Sequence, residues 1–258
     1  MPYSSPHRVW FYFIHRLRCF QDRFKIPKDT KRFIRQVLKN KAERIDSAFV
    51  EELKQELRSN STTLTYTDLG SGELHSRRIQ TIFKRSAKSA KDANAIFRLV
   101  KHLQPAQSVE IGTSLGLSTL YMSMATNNPI STFEGIEAIA DVAKSNIEKA
   151  LKTNIDVVIG NFDDTLEPFL SKHQNIEFFY VDGNHYYEPT MRYFNWALDS
   201  SNRKTMMLFD DINWSAEMQK AWKELRHHPS VVLSLDFFHF GLVFLSDKYG
   251  TGHYSVVH

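Results

Sequence analysis

Three carboxylates and a histidine have the types and spacing of a catalytic centre. Asp182 and His185 lie in the segment YVDGNHYYEP over 180–189, and Asp210 and Asp211 follow at the end of an apolar run. Carboxylates that converge on one crevice repel each other unless a cation lies between them. A hard divalent ion with oxygen ligands, Mg2+ for example, is the natural one, so Asp182, Asp210 and Asp211 are candidate metal ligands. Such an ion would polarise a substrate hydroxyl, and neutral His185 would take its proton. A plainer alternative stands beside this: one of Asp210 and Asp211 caps a helix, and His185 only orients its loop.

A second set of residues could hold a ligand. In EIGTSLGLST over 110–119, Gly112 and Gly116 let the backbone turn sharply and approach a ligand with no Cβ in the way. The next helix would point free N–H groups at the same spot. A dinucleotide site wants a further glycine spacing, but two and five residues after Gly112 stand Ser114 and Leu117. A plain tight turn is the remaining alternative. The next strand is read as ending at Glu137, where a carboxylate can accept both hydroxyls of a ribose. The one after it ends in Asn161-Phe162-Asp163, with an amide or carboxylate for the edge of an adenine and a ring for its face. A further glycine-bearing segment, TDLGSG over 67–72, reads as a turn or a loop near the active-site mouth.

The elements that must position these residues alternate. Short apolar runs at 107–111, 130–136, 155–160, 176–181 and 206–209 are separated by helical patterns, and two closing strands follow at 231–235 and 242–245. Strands separated by helices of 8–14 residues imply βαβ crossovers and a mainly parallel sheet. Ligands of such sheets bind beyond the carboxyl ends of the strands, where all of these candidates lie. The first part of the chain is different. Residues 8–24, 29–44 and 46–59 read as helices, with Asp29 and Asp46 as N-caps of the last two. Helical spacing resumes at Ile79, Ile82 and Phe83 and again from Ala93 to Leu103.

Charge divides the chain at the same place. Residues 1–104 hold 22 Lys and Arg against 10 Asp and Glu, whereas the remainder is acidic. A basic half can serve nucleic acid or an acidic membrane, and it can also be a solvated helical face. The apolar run from Val9 to Ile14 is far shorter than the ~20 residues of a spanning helix. With Arg16, Arg18 and Arg23 it could instead lie on a membrane surface, on its own domain or on a second subunit, as in a homodimer. Cys19 is the single cysteine, which rules out an internal disulfide and fits a reducing, cytoplasmic setting.

On these residues the chain resembles the class I S-adenosylmethionine-dependent methyltransferases over roughly 105–258. Within them it is similar to small-molecule O-methyltransferases of the catechol, caffeoyl-coenzyme A and macrolide-sugar type. The resemblance implies a Rossmann-like, doubly wound α/β sheet of seven strands, mainly parallel with an antiparallel last strand, preceded by a helical extension or lid over 1–104. It implies S-adenosylmethionine held by Glu110, Gly112, Thr113, Ser114, Gly116, Ser118, Glu137, Asn161, Phe162, Asp163 and Asp182. It implies His185 as the base toward a small-molecule hydroxyl, with metal at Asp182, Asp210 and Asp211. The chain departs from the catechol and caffeoyl-coenzyme A pattern in having Asp-Asp rather than Asp-Asn at 210–211. Three other readings stay open: an RNA methyltransferase using the basic half, a nicotinamide-dependent oxidoreductase, and a non-catalytic cofactor-binding module.

Overall fold

The computed structural model describes residues 5–40, 45, 47–69 and 72–257. In chain order the elements are α1 (Ser5–Asp22), α2 (Lys28–Phe33, continued by a π-helical turn over Ile34–Leu38), α3 (Ala48–Ser59), β1 (Thr63–Thr67), β2 (Leu74–Arg78), α4 (Ile79–Ser86) and α5 (Ala90–Leu103). Then come β3 (Ser108–Ile111), α6 (Leu117–Ser123), β4 (Ile130–Glu134), α7 (Glu137–Lys149), β5 (Ile155–Ile159) and α8 (Phe162–Lys172). The chain closes with β6 (Ile176–Val181), α9 (Tyr187–Asp199), β7 (Ser201–Asp210), α10 (Ala216–Leu225), β8 (Leu233–Asp236), β9 (Phe240–Phe244) and β10 (Gly252–Ser255). The fold is Rossmann-like α/β, with a mostly parallel central sheet and flanking helices, as the alternating pattern implies. Two compact units divide it: residues 41–169, and residues 1–40 with 170–258.

In the unit of residues 41–169, β3, β4 and β5 run parallel in that order, with Ser108 opposite Ile130 and Ile130 opposite Ile155. Every residue of β3 and β4 is buried, as expected of parallel strands covered on both faces. Helices from the basic half complete this unit. Leu53 and Leu57 of α3 and Ile79, Ile82 and Phe83 of α4 share one apolar cluster with Leu115, Leu120, Ile139 and Ile147. The compositional boundary at 104/105 therefore falls inside this unit. Ser47 caps α3 by accepting from the Val50 amide, and Ser89 caps α5 by accepting from the Asp92 amide. Asp46, expected as the cap of α3, lies outside the described residues. Between α3 and α4 the chain makes an antiparallel hairpin, β1 with β2, which was not expected although Thr63 to Thr67 alternates polar and apolar residues.

In the other unit, β6 and β7 are parallel, β9 is antiparallel to both β7 and β8, and β10 runs parallel to β8. The antiparallel strand is thus not the last. An unexpected strand over Gly252–Ser255 follows it and brings the two units to three plus five strands in the sheet. Asp29 also proves not to be a cap: α2 begins after Pro27, and Asp29 sits in its first turn. Gly241 of β9 lies under Trp222, and a Cβ there would come within 2.3 Å of the indole.

Helix α1 is fastened to this unit by a buried ion pair. His15 Nε2 stands 3.1 Å from Asp236 Oδ1, and Cys19 Sγ 3.6 Å from His15 Nδ1. The Trp222 indole N–H donates to the other carboxylate oxygen at 3.0 Å. Burial alone would pull His15 toward its neutral form, but the hydrogen bond and charge of Asp236, helped by Cys19, push its pKa up from 6.5 to about 10. Burial likewise opposes ionisation of Asp236, and His15, the Phe238 amide and Arg226 outweigh it, so its pKa lies below the usual value. A raised histidine contributes fully below its unfolded pKa and loses its contribution as pH rises through the folded one. The stabilisation is therefore complete between the ordinary ranges of Asp and His and fades from about 6.5 to 10. Asp236→Asn should cost about 3 kcal/mol or more at pH 6, since it strands a buried cation. Urea unfolding at pH 6, 8 and 10 should show the gap to wild type narrowing; a gap independent of pH would mean that the pair is not charged.

Candidate active site

The loop after β3 is built around a carboxylate that never meets water. Glu110 is fully buried, and its Oε2 accepts from the Thr132 hydroxyl at 2.6 Å and from the Thr119 hydroxyl. Thr132 has one proton and gives it to Glu110, so the hydroxyl of Thr113, 2.6 Å away, is the donor in the Thr113–Thr132 bond. The Gly112 and Thr113 amides both donate to Phe133 O, at 2.9 and 3.0 Å. Gly112 takes φ +101°, Ser114 φ +49° and Gly116 φ +82°. A Cβ at Gly116 would stand in ordinary contact with Ala143 of α7, at 3.4 Å, so it is the positive φ that favours glycine there. Leu115, inside the loop, points into the core, and Asn146 holds its carbonyl at 2.9 Å. Ser118, in the first turn of α6, is half-buried. Glu110 is thus buried within the hydroxyl network beneath the loop.

The strand-end acid is not the expected one. β4 ends at Glu134, and Glu137 is the first residue of α7, exposed to solvent. Glu134 is buried at the carboxyl end of the strand. Its Oε2 accepts from the Ser114 amide at 2.8 Å and its Oε1 from the Ile136 amide at 3.1 Å. Burial raises its pKa above the usual value, and the amides of Ile136, Ser114 and Gly135 oppose that rise. Each carboxylate oxygen retains a lone pair for a further donor. The Gly160 amide donates to Glu134 O at 3.0 Å, so the ends of β4 and β5 meet here. Leu69, in the hairpin turn, lies over this place: its Cδ1 is 2.7 Å from where a Cβ of Gly135 would stand, although the side chain is 52% exposed. Gly135 and the glycine-bearing turn were the signals in the sequence that could have found Leu69; Gly70 and Ser71 of that turn lie outside the described residues.

After β5, Gly160 takes φ +135°. Asn161 then opens α8, its Oδ1 accepting from the Asp163 amide at 3.2 Å and its carbonyl from the Thr165 hydroxyl at 2.8 Å. Asn161 and Asp163 are exposed and Phe162 is half-buried.

In the other unit the acidic residues are arranged about a tyrosine. The Tyr180 phenol, at the end of β6, lies 3.0 Å from Asp182 Oδ2 and 2.9 Å from Asp210 Oδ2. Asp210 Oδ1 accepts from the Asp211 amide at 2.8 Å. Asp211 takes φ +51°, and its carbonyl accepts from the Trp214 amide. His185 Nε2 faces Asp182 Oδ1 at 3.8 Å, with the two side chains 28% and 14% exposed. Asn184, at φ +52°, shapes the loop between them and donates to the Tyr193 phenol. Asp182, His185 and Asp210 are therefore brought together, but the expected acidic trio is not. Among the described residues no three His, Cys, Asp or Glu are grouped to hold a metal ion. The donor set among the described residues does not fit a three-carboxylate metal site: Asp182 and Asp210 converge on a phenol, and no third acid is grouped with them.

The glycine loop follows β3, Glu134 ends β4, and Asp182 and His185 lie in the loop after β6. Residues 109–212 match the family model of a methyltransferase domain. No curated protein matches the chain. Among solved structures it is similar to a Klebsiella pneumoniae protein proposed to be an O-methyltransferase, at 17% identity and TM-score 0.61 over 80% of this chain and 93% of that one. It is similar to the O-methyltransferase of Bacillus cereus in complex with S-adenosylhomocysteine, at 20% identity and TM-score 0.59 over 78% and 92%. It is also similar to an O-methyltransferase of Streptomyces achromogenes involved in tomaymycin synthesis, in complex with S-adenosylmethionine, at 19% identity and TM-score 0.56 over 64% and 86%. At these identities the likeness establishes the fold.

The buried hydroxyl chain yields a stability test. Thr132→Val keeps the shape but removes the donor to Glu110 and the acceptor of Thr113. It should destabilise the protein by about 1–3 kcal/mol in chemical unfolding, and Thr132→Ser should recover most of the loss. Equal losses in both variants would mean that packing, not the hydroxyl, matters.

Proposed function

We propose that the protein transfers the methyl group of S-adenosylmethionine to a hydroxyl of a small molecule. The observation that carries this reading is Glu134, a buried strand-end carboxylate fixed by two backbone amides beside the glycine loop. Its remaining lone pairs suit the two hydroxyls of a ribose, a role the sequence pattern assigned to Glu137. Gly112, Ser114 and Gly116 let the backbone come close to the cofactor, while Thr113 and Glu110 hold the loop's shape. Phe162 offers a ring face to an adenine, and Asp163 or the Asn161 amide an edge.

Bound S-adenosylmethionine supplies an electrophilic methyl carbon. The protein aligns an acceptor oxygen with it and keeps water away. The proton leaves the acceptor hydroxyl for His185, through the ring nitrogen that does not face Asp182. Asp182 then stabilises the imidazolium, and Tyr180 holds Asp182 in place. The acceptor oxygen gains the methyl group and the sulfonium becomes a neutral thioether. No step passes through a metal, so transfer should persist in chelator.

Calorimetric titration with S-adenosylhomocysteine separates the two acids. Glu134→Ala should weaken binding by tenfold or more, about the value of a charge-assisted hydrogen bond pair, and Glu137→Ala by less than threefold. The reverse pattern would return the ribose site to Glu137; no heat with the wild type would remove the cofactor assignment. His185→Ala should keep S-adenosylhomocysteine affinity while lowering methyl transfer to a panel of phenols and alcohols by about 10²–10⁴-fold. An unchanged rate would sink the base assignment.

A further inference from the structure

Helix α1 presents an apolar stripe to solvent that no part of the reaction uses. Trp10, Phe13, Leu17 and Phe20 recur at spacings of three and four, which places them along one side of the helix, and Phe24 follows in the turn after it. They are 47–73% exposed, and Val9 extends the patch, whereas Tyr12 packs edge-on against Phe238. Large aromatics in this number are not normal decoration of a surface, and a contiguous apolar patch marks a contact.

The opposite side of the helix fixes which face is presented. His15 and Cys19 are buried, His15 paired with Asp236, and Asp22 accepts from the Ser255 amide at 2.8 Å. Rolling the helix to hide its aromatics would break a buried ion pair. The stripe is therefore held outward.

The charges beside the stripe are of one sign. Arg16, Arg18, Arg23 and Lys25 are exposed, and the first 21 residues contain no Asp or Glu. The Arg23 guanidinium lies over the rings of Phe20 and Phe24, at 4.1 and 4.4 Å. A second copy packed on this face through a two-fold axis would set arginine rows against each other across the seam. A nucleic acid would answer the arginines but leave Val9 and Leu17 in water. An anionic bilayer surface answers both: phosphates for the arginines, and the acyl boundary for the aromatics. Tryptophan and tyrosine favour that boundary, being apolar bodies with a polar tip. No helix of the described residues is long and apolar enough to cross a membrane, so such a helix lies on the surface.

We infer that α1 is an interfacial helix that docks the protein on anionic lipid bilayers. The full chain should co-sediment with vesicles containing 30% phosphatidylglycerol in phosphatidylcholine, more weakly with phosphatidylcholine alone, and the Trp10 environment should shift its fluorescence to the blue. Phe13→Glu with Phe20→Glu, both surface positions, should lower vesicle binding by about tenfold or more at unchanged melting temperature. Arg16→Glu with Arg23→Glu should remove the preference for phosphatidylglycerol. Trp10→Phe should bind as the wild type does while losing the shift. Three results would overturn the inference: a wild type that ignores both vesicles, a dimer in light scattering that the Phe13/Phe20 variant dissolves without any vesicle binding, or binding of poly(U) with none to vesicles.

Discussion

Ionised carboxylates are costly away from water unless their oxygens are held by donors. At Glu110 one oxygen, Oε2, is held by hydroxyls from two other elements, Thr132 of β4 and Thr119 of α6. Its position on β3 then ties a strand, the neighbouring strand and the following helix to one group. The direction of the protons propagates the constraint. Thr132 is committed to Glu110, so Thr113 donates to it, and the chain immediately after Thr113 takes the left-handed region at Ser114. The Ser114 amide donates to Glu134. The acid at the end of β4 is thus tied to the same loop that Glu110 holds.

The same residues show what a sequence can and cannot convey. The alternation of strands with helices was legible because βαβ units repeat two different periods, and the glycine loop was legible because Gly112 and Gly116 need conformations other residues avoid. The strand-end acid stands three residues before the one expected. Ile136 prolongs the apolar run past β4, and Glu137 follows it just as an acid follows a strand. Only the amide bonds of Ile136 and Ser114 to Glu134 end the strand earlier, and these depend on the loop's tertiary shape. β10 was hidden for another reason: GHYS lacks apolar alternation, and its pairing with β8 comes from the neighbour, Leu233 to Asp236, that is already buried. The β1–β2 hairpin is a different case: Leu64 and Tyr66 alternate with threonines, a strand signal that a run of only five residues carries weakly.

Composition misleads at the front of the chain because charge reports the outer faces of helices and packing reports the inner ones. Leu53, Leu57, Ile79, Ile82 and Phe83 belong to the cluster that receives Leu115 from the glycine loop. Even a cation is absorbed there. Lys54 is buried, with its ammonium 2.8 Å from Glu51 Oε1 and 2.7 Å from the Tyr121 phenol. Residues 48–86 are thus structural support for the loop, while residues up to 40 pack with the C-terminal strands, where Phe33 meets Phe244 and Tyr249. One basic segment in the sequence serves two different cores.

The acidic residues after β6 and β7 raise a question of proton number rather than of position. A phenol has one proton, yet Tyr180 lies within hydrogen-bond distance of an oxygen of Asp182 and an oxygen of Asp210. Two ionised carboxylates cannot both be satisfied by that proton, so the phenol oxygen must also accept, or positive charge must offset the pair. A third carboxylate, had Asp211 joined them, would have needed a divalent ion. Its positive φ instead turns the backbone so that its own amide serves Asp210. What remains is a pair of acids beside an imidazole, His185, whose charge rises by one when it accepts a proton. Asp182 therefore stands between the Tyr180 phenol, which it shares with Asp210, and the His185 ring.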